Sequence, residues 1–199
     1  MTLQREYFAR LYRTSGDPWK LQERWYEQRK RQLTLAALNK PRYASAFEPG
    51  CSIGELSAGL SARCEALLAA DLDPTACETA RKRLEHLSHV RVEQRTVPQE
   101  WPDMSFDLIV ISELAYYFEE SDLAILADCA LNSLMPGGTL LACHWRHPVP
   151  DYPQTGDSVH DILARQLRLK RLLHHEEEDF LLDVWSDDER SVARTEGLV

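Results

Sequence analysis

The chain lacks any apolar run long enough to span a bilayer. Its first thirteen residues alternate charged and aromatic side chains and hold no apolar signal-peptide core. Both absences point to a cytoplasmic protein. Positive charge is also scarce: 23 Lys and Arg stand against 32 Asp and Glu, a formal net charge of −9. That balance disfavours electrostatically driven binding to nucleic acid or to anionic membranes, and it is compatible with a cationic substrate. The five cysteines (Cys51, Cys64, Cys77, Cys129 and Cys143) are odd in number and include no C-x-x-C pair. They read as small buried side chains in a reducing compartment rather than as a disulfide framework. His174-His175 before an acidic run lacks metal-ligand spacing and reads as a surface turn, so no metal is expected. No repeat, low-complexity tract or interdomain linker interrupts the 199 residues, a length that suits one domain.

What is present concentrates in Ala46-Phe47-Glu48-Pro49-Gly50-Cys51-Ser52-Ile53-Gly54, a carboxylate followed by a tight small-residue turn. Such a turn lets backbone N–H groups approach a polar ligand that a larger side chain would hold off. About twenty residues later, Ala66-Leu67-Leu68-Ala69-Ala70 ends in Asp71, placed to hydrogen-bond ribose hydroxyls. Two features argue against a dinucleotide. Glu55 stands where that fingerprint needs a third small residue, and Glu48 would repel a pyrophosphate. Glu48 suits a cofactor with an ammonium group. S-adenosylmethionine (SAM) has such a group, and a ribose for Asp71.

Periodicity and breakers predict the order of elements. Residues 3–13 read as a helix with Tyr7, Phe8, Leu11 and Tyr12 on one face, and a second helix runs from Lys20 to Asn39. Strands are expected at 45–48, 66–71, 90–94, 106–111 and 139–144, with helices at 54–62, 74–87 and 121–134 between them. Met135-Pro136-Gly137-Gly138 reads as a turn. Residues 145–158 read as a loop and 159–168 as a helix. Two final strands are expected at 169–175 and 180–185. The β-α-β-α-β order argues for an α/β fold, a mostly parallel sheet with helices on both faces.

Four pieces in this order resemble class I SAM-dependent methyltransferases: Glu48 to Gly54, Asp71 to Pro74, Phe106 to Glu113, and Leu134 to Gly138. A narrower resemblance is to the nodulation-type (NodS-like) N-methyltransferases. It rests on Asp17-Pro18-Trp19, on Tyr26-Glu27-Gln28-Arg29-Lys30, and on Leu114-Ala115-Tyr116-Tyr117-Phe118. The resemblance implies a Rossmann-like seven-stranded sheet with an antiparallel C-terminal hairpin, residues 41–199, under an N-terminal helical cap, residues 1–40. It implies S-adenosylmethionine as cofactor and S-adenosylhomocysteine (SAH) as product. The methyl acceptor is then a nitrogen or an oxygen of a small molecule, amino sugars and sugar derivatives among the candidates. The protein is expected as a monomer or homodimer. The alternatives are an NAD-type oxidoreductase and a non-catalytic SAM-binding module.

On that resemblance, the cofactor loop is Glu48, Gly50, Cys51, Ser52 and Gly54, with Asp71 and Leu72 at the ribose. The family often has an adenine-binding acid after its third strand. Here Thr96 and Val97 stand in its place, and Thr96 hydroxyl, backbone and Val97 packing would serve the ring. Trp19 and Tyr26 would cover the cofactor, with Lys30 or Arg29 near its carboxylate. Ser112 and Glu113 end the fourth strand, where polar groups line the ligand crevice. Glu113 would take a proton from an amine or orient it. Tyr116 and Tyr117 would wall the transfer site, their ring faces suiting a cation. His144 is the preferred general base because imidazole titrates near neutrality. Arg146 would hold a carboxylate or phosphate of the substrate, with His147, Asp157 and His160 nearby.

Overall fold

Seven runs of strand-forming sequence pair into one sheet in the computed structural model, which describes residues 2, 3 and 5–199. The strands are β1 (Tyr43–Pro49), β2 (Cys64–Asp71), β3 (Val90–Gln94), β4 (Phe106–Ser112), β5 (Leu134–Trp145), β6 (Lys170–Glu176) and β7 (Phe180–Ser186). Their order across the sheet is β3-β2-β1-β4-β5-β7-β6. The first five are parallel, and β7 runs antiparallel between β5 and β6. The crossover helices are α3 (Glu55–Ser61), α4 (Pro74–Leu84), α5 (Glu120–Ser133) and α6 (Gly156–Leu167). Two more, α1 (Arg5–Thr14) and α2 (Trp25–Ala36), precede the sheet, and α7 (Val192–Thr195) follows it.

The sheet is covered on both faces, which is why its central strands are apolar throughout. Leu108, Ile109, Val110 and Ile111 of β4 are each fully buried. Alternate residues go to opposite layers. Ile109 and Ile111 pack with α1, α5 and α6, whereas Leu108 and Val110 pack with α3 and the chain around α2. Leu123 and Leu126 anchor α5 with no exposure, each contributing roughly 1.5–3 kcal/mol of apolar burial.

Several boundaries differ from expectation for local reasons. The second helix begins at Trp25 rather than Lys20, because the Asp17 carboxylate accepts from the Leu21 and Gln22 N–H groups and holds a separate turn. The residues Met135 to Gly138 do not leave the sheet. They form a bulge inside β5, where the partner of Phe106 is Leu134 and that of Leu108 is Thr139. Gly137, at φ +72°, is held by Lys40 Nζ on its carbonyl and by Asp187 on its N–H. The α6 helix starts at Gly156, earlier than predicted, on a capping box between Thr155 and Ser158. His174 and His175 lie in β6, not in a turn.

Candidate active site

The carboxyl ends of β1, β2 and β4 open onto a cavity of 750 Å³, roofed by α1, α2 and the chain between them. This is the crevice that an open parallel sheet offers a ligand. The size is in the range of small-molecule sites, roughly 300–1,000 Å³.

The turn after β1 forms the floor. Gly50 and Cys51 both donate N–H to the Ala70 carbonyl, at 2.7 and 2.9 Å. Gly50 has φ +75°, and a Cβ there would stand 3.0 Å from a Leu114 methyl. Ser52 also adopts a left-handed φ, +50°. Its hydroxyl shares a 2.6 Å hydrogen bond with Tyr12 of α1, tying the roof to the floor.

Two carboxylates face this floor. Glu48 is almost fully buried, and its one hydrogen-bond partner is the Ser57 hydroxyl, at 2.5 Å. No cation among the described residues pairs with it. Burial, with the charge of Asp71 adding to it, pushes the Glu48 carboxyl up to about 8. Asp71 accepts from the Ser52 and Asp73 N–H groups, one on each oxygen, both at 2.9 Å. The Leu72 N–H adds a third backbone hydrogen bond to this carboxylate. Burial pushes Asp71 up to about 6 against those hydrogen bonds. Beyond Asp71 the wall continues through Leu72, Arg95, Thr96 and Val97.

A second polar group lies at the end of β4. Glu113 has φ +52°, a backbone conformation costly for a non-glycine residue, on the order of 1–3 kcal/mol. Its carboxylate accepts from Lys30 Nζ at 2.7 Å, from the Tyr116 hydroxyl and from the Trp145 N–H at 3.2 Å. Lys30 is buried and also pairs with Glu27, at 3.0 Å. Burial opposes the lysine's charge, but Glu113 and Glu27 outweigh it and hold Lys30 above the ordinary lysine range. Lys30 Nζ sits 4.7 Å over the Tyr26 ring. The Tyr26 hydroxyl is the single buried side-chain polar atom without a hydrogen-bond partner among the described residues.

The model of the Nodulation protein S (NodS) family matches residues 6–147, more than half of the chain. The chain belongs to the NodS family. It is 31% identical over 129 residues to nodulation protein S of Rhizobium tropici, an alignment covering 64% of this chain and 54% of that protein. Against nodulation protein S of Sinorhizobium fredii it is 33% identical over 105 residues, covering 52% and 49%. The chain thus spans about half the length of the curated relatives it matches. Among solved structures, a presumed methyltransferase from Pseudomonas syringae is 53% identical, with a TM-score of 0.74 over 82% of this chain and 99% of that one. The N-methyltransferase NodS of Bradyrhizobium japonicum, solved with S-adenosylhomocysteine, is 24% identical and shares the fold at a TM-score of 0.83, over 92% of this chain and 98% of that one.

In this NodS-family chain most of the residues singled out from sequence do line one cavity. Glu48, Gly50, Cys51, Ser52, Asp71 and Leu72 line the β1–β2 side. Thr96 and Val97 line the far end; the Thr96 N–H is taken by the Glu100 carboxylate at 2.5 Å. Trp19, Tyr26 and Lys30 come from the roof, Trp19 packing edge-on to Tyr12. Ser112, Glu113, Tyr116 and Tyr117 line the β4 side, with the Tyr117 hydroxyl on Tyr152 at 3.4 Å.

Four expectations need correction. Gly54 does not line the cavity; it is the α3 N-cap at φ +81°, packed where a Cβ would meet Ala80 at 3.1 Å. His144 does not line the cavity; it is fully buried behind Tyr116, whose ring it meets edge-on at 5.5 Å. Its Nε2 accepts from the Ala115 N–H at 3.2 Å, which leaves Nδ1 to donate to His160 Nε2 at 3.1 Å; His160 Nδ1 then donates to Asp183 at 2.6 Å. Burial, aided by His160, holds His144 well below the usual histidine range, so it is a neutral structural link and not a base toward the cavity. Arg146 also turns away, paired with Asp157 and Glu176 and donating to the Glu177 carbonyl. Lys30 and Arg29 do not wait for a cofactor carboxylate: Lys30 is held by Glu27 and Glu113, and Arg29 forks onto Glu177 at 2.7 and 2.8 Å.

Sequence reasoning passed over Glu27, Tyr12 and Trp145. The Glu27 and Lys30 spacing of i,i+3 puts both on one helix face, a signal present in the chain. Strand alternation places Trp145 opposite to His144.

Proposed function

We propose that this chain is a SAM-dependent N-methyltransferase whose acceptor is a small amine, with amino sugars the favoured class. The observation that carries the reading is the pair of carboxylates Glu48 and Asp71 at neighbouring strand ends under one roof. Glu48 is a buried carboxyl facing a cavity with no cation beside it among the described residues, and SAM brings an ammonium. Asp71 is a carboxylate at the tip of the neighbouring strand on the cavity wall, where it suits ribose hydroxyls. Gly50 leaves space on the floor that a side chain would fill. Thr96, Val97 and Leu72 border the end left for the adenine. Membership of a family with an N-methyltransferase among its solved structures supports the same reading.

Bound there, SAM supplies an activated methyl group on a sulfonium. The protein's task is alignment and exclusion of water. Tyr12, Trp19 and Tyr26 close the roof, and Glu113 stands at the β4 end with an open acceptor site for an acceptor N–H. A nicotinamide dinucleotide is disfavoured because Glu48 would face its pyrophosphate without a compensating cation.

Calorimetric titration with SAM and SAH tests this. Micromolar binding is expected, and Asp71→Ala should weaken it by about 1–3 kcal/mol, the loss of hydrogen bonds to a charged group. No binding of either ligand by the folded wild type, or binding of NADH instead, sinks the proposal.

A further inference from the structure

Three observations around Lys30 belong together. First, Lys30 Nζ lies between two carboxyl groups, 2.7 Å from Glu113 and 3.0 Å from Glu27, so two acids share one lysine. Second, Glu113 already accepts from Lys30, Tyr116 and Trp145, which leaves roughly one of its four acceptor sites open. Third, the Tyr26 hydroxyl beside them is buried and has no partner among the described residues. Such an atom costs about 1–3 kcal/mol when left unmade, a cost that a bound ligand with a hydrogen-bonding group removes. All four side chains line the same cavity. An acid-rich pocket with an open acceptor and an orphan hydroxyl is complementary to a primary ammonium on a hydroxyl-bearing carrier.

Resting on the SAM-dependent reading above, we infer that Glu113 and Glu27 divide the work on the acceptor nitrogen: Glu113 accepts one N–H and aims the nitrogen, and Glu27 takes the proton that an arriving ammonium must lose. The steps balance. The ammonium R–NH₃⁺ gives a proton to the Glu27 carboxylate, leaving R–NH₂ with a free lone pair. That lone pair forms the new N–C bond while the C–S bond of SAM breaks and its electron pair stays on sulfur. The product is R–NH₂CH₃⁺ with SAH, and the Glu27 proton passes to water as the site opens.

The surroundings suit Glu27 to this role. Burial raises its carboxyl above the usual glutamate range, and Lys30 only partly offsets that. The charged and titratable groups around it are Lys30, Arg31 and Tyr26 on its own helix, Glu113 from the end of β4, and Cys143 from β5. Cys143 is a thiol pushed up to about 12 by burial and Glu113, so it adds no charge near neutrality. Glu113, held by three donors in a strained backbone, is fixed for orientation.

The test is the pH dependence of kcat/KM at saturating SAM for the wild type, Glu27→Gln, Glu27→Asp and Glu113→Gln. The acceptor panel is glucosamine, de-N-acetylated chitobiose and simple primary alkylamines. SAH affinity by calorimetry serves as the control for folding. The expected result is SAH affinity within twofold of wild type in all variants. Glu27→Gln should lower kcat/KM by about 10²–10⁴-fold near pH 7, the usual worth of a positioned base. Its rate should recover toward roughly pH 9–10 for acceptors of α-amino basicity, and only above about pH 10 for simple alkylamines. Glu27→Asp should keep part of the activity, and Glu113→Gln should act mainly on KM. A merely structural Glu27 would give a rate loss that alkaline pH does not repair, and that result overturns the inference, as does a wild-type profile in Glu27→Gln. If SAH binds but no amine in the panel is methylated, the acceptor assignment falls. If SAH does not bind the wild type, the cofactor reading itself falls.

Discussion

Glu48 sets the chemistry of the cavity at the scale of one residue. Its carboxyl is pushed up to about 8 by burial and by Asp71. In the free protein below that pH the group is largely protonated, whereas an ammonium ligand favours its charged form. Binding therefore expels a proton. The affinity for SAH is expected to climb as pH rises from about 6 toward 8 and then to level, as linkage requires. Calorimetry in buffers of different ionisation enthalpy reads the proton directly. Glu48→Gln should weaken SAH and flatten that slope; a slope that persists in the variant would assign the proton elsewhere. Asp71, pushed to about 6, ionises earlier in the same range and contributes its share on the acid side.

At the scale of elements, two contacts deserve separate experiments. The first is the link from α1 to the cofactor turn. Tyr12 and Ser52 share a hydrogen bond at 2.6 Å, and Ser52 holds φ +50° to make it. Tyr12→Phe should cost about 0.5–1.5 kcal/mol of stability. It should also speed proteolytic cleavage of the 15–24 connection in the presence of SAH. Ser52→Gly should be close to neutral, since relief of backbone strain offsets the lost hydrogen bond. Equal proteolysis of wild type and Tyr12→Phe would show that Phe8 and Trp19 hold the roof without that bond. The second contact is the end of β5. His144 alternates with Leu140 and Ala142 on the α5–α6 face, so it links β5 to α6 through His160. His144→Ala leaves a void, an unpaired Ala115 N–H and an unpaired His160 nitrogen. A stability loss of about 2–4 kcal/mol in urea is expected, with SAH affinity kept. Unchanged stability would contradict the role assigned to this chain of imidazoles.

For the whole molecule, opposite titrations shape stability. Glu48 and Asp71 have folded values of about 8 and 6, above their ordinary carboxylate values. The folded state holds more protons than the unfolded chain across that window, so this contribution is present at low pH and lost as pH rises through those values. His144 has the reverse sign: its folded value lies below the ordinary one, and its contribution is lost as pH falls below about 6.5. Asp157 and Glu177, held low by Arg146 and Arg29, lose their smaller, solvent-screened contributions only at still lower pH. Free protein should therefore be most stable on the acid side, below about pH 6, because two carboxyls fall against one imidazole as pH rises. Saturating SAH should move the optimum toward neutrality, because the ligand favours ionised Glu48. Thermal denaturation from pH 4 to 9, with and without SAH, checks both statements. An optimum above pH 8 without ligand would contradict them.

Sequence alone determined the order of strands and helices, the turn from Glu48 to Gly54, and Asp71 at the end of β2. These follow from local causes: apolar period, breaker residues and a spacing that carries one strand tip to its neighbour. The same local reasoning located Glu113 at a ligand-facing strand end. It failed at His144 and Arg146, neither of which lines the cavity. Strand parity turns His144 toward α6, and the acids of α6 and β6 draw Arg146 away. Only the tertiary structure brought Glu27 and Lys30 of α2 against Glu113, 83 residues from Lys30 along the chain, and Tyr12 against Ser52. A side chain's partners depend on which helices a sheet face can bury, and that is settled by packing the whole chain.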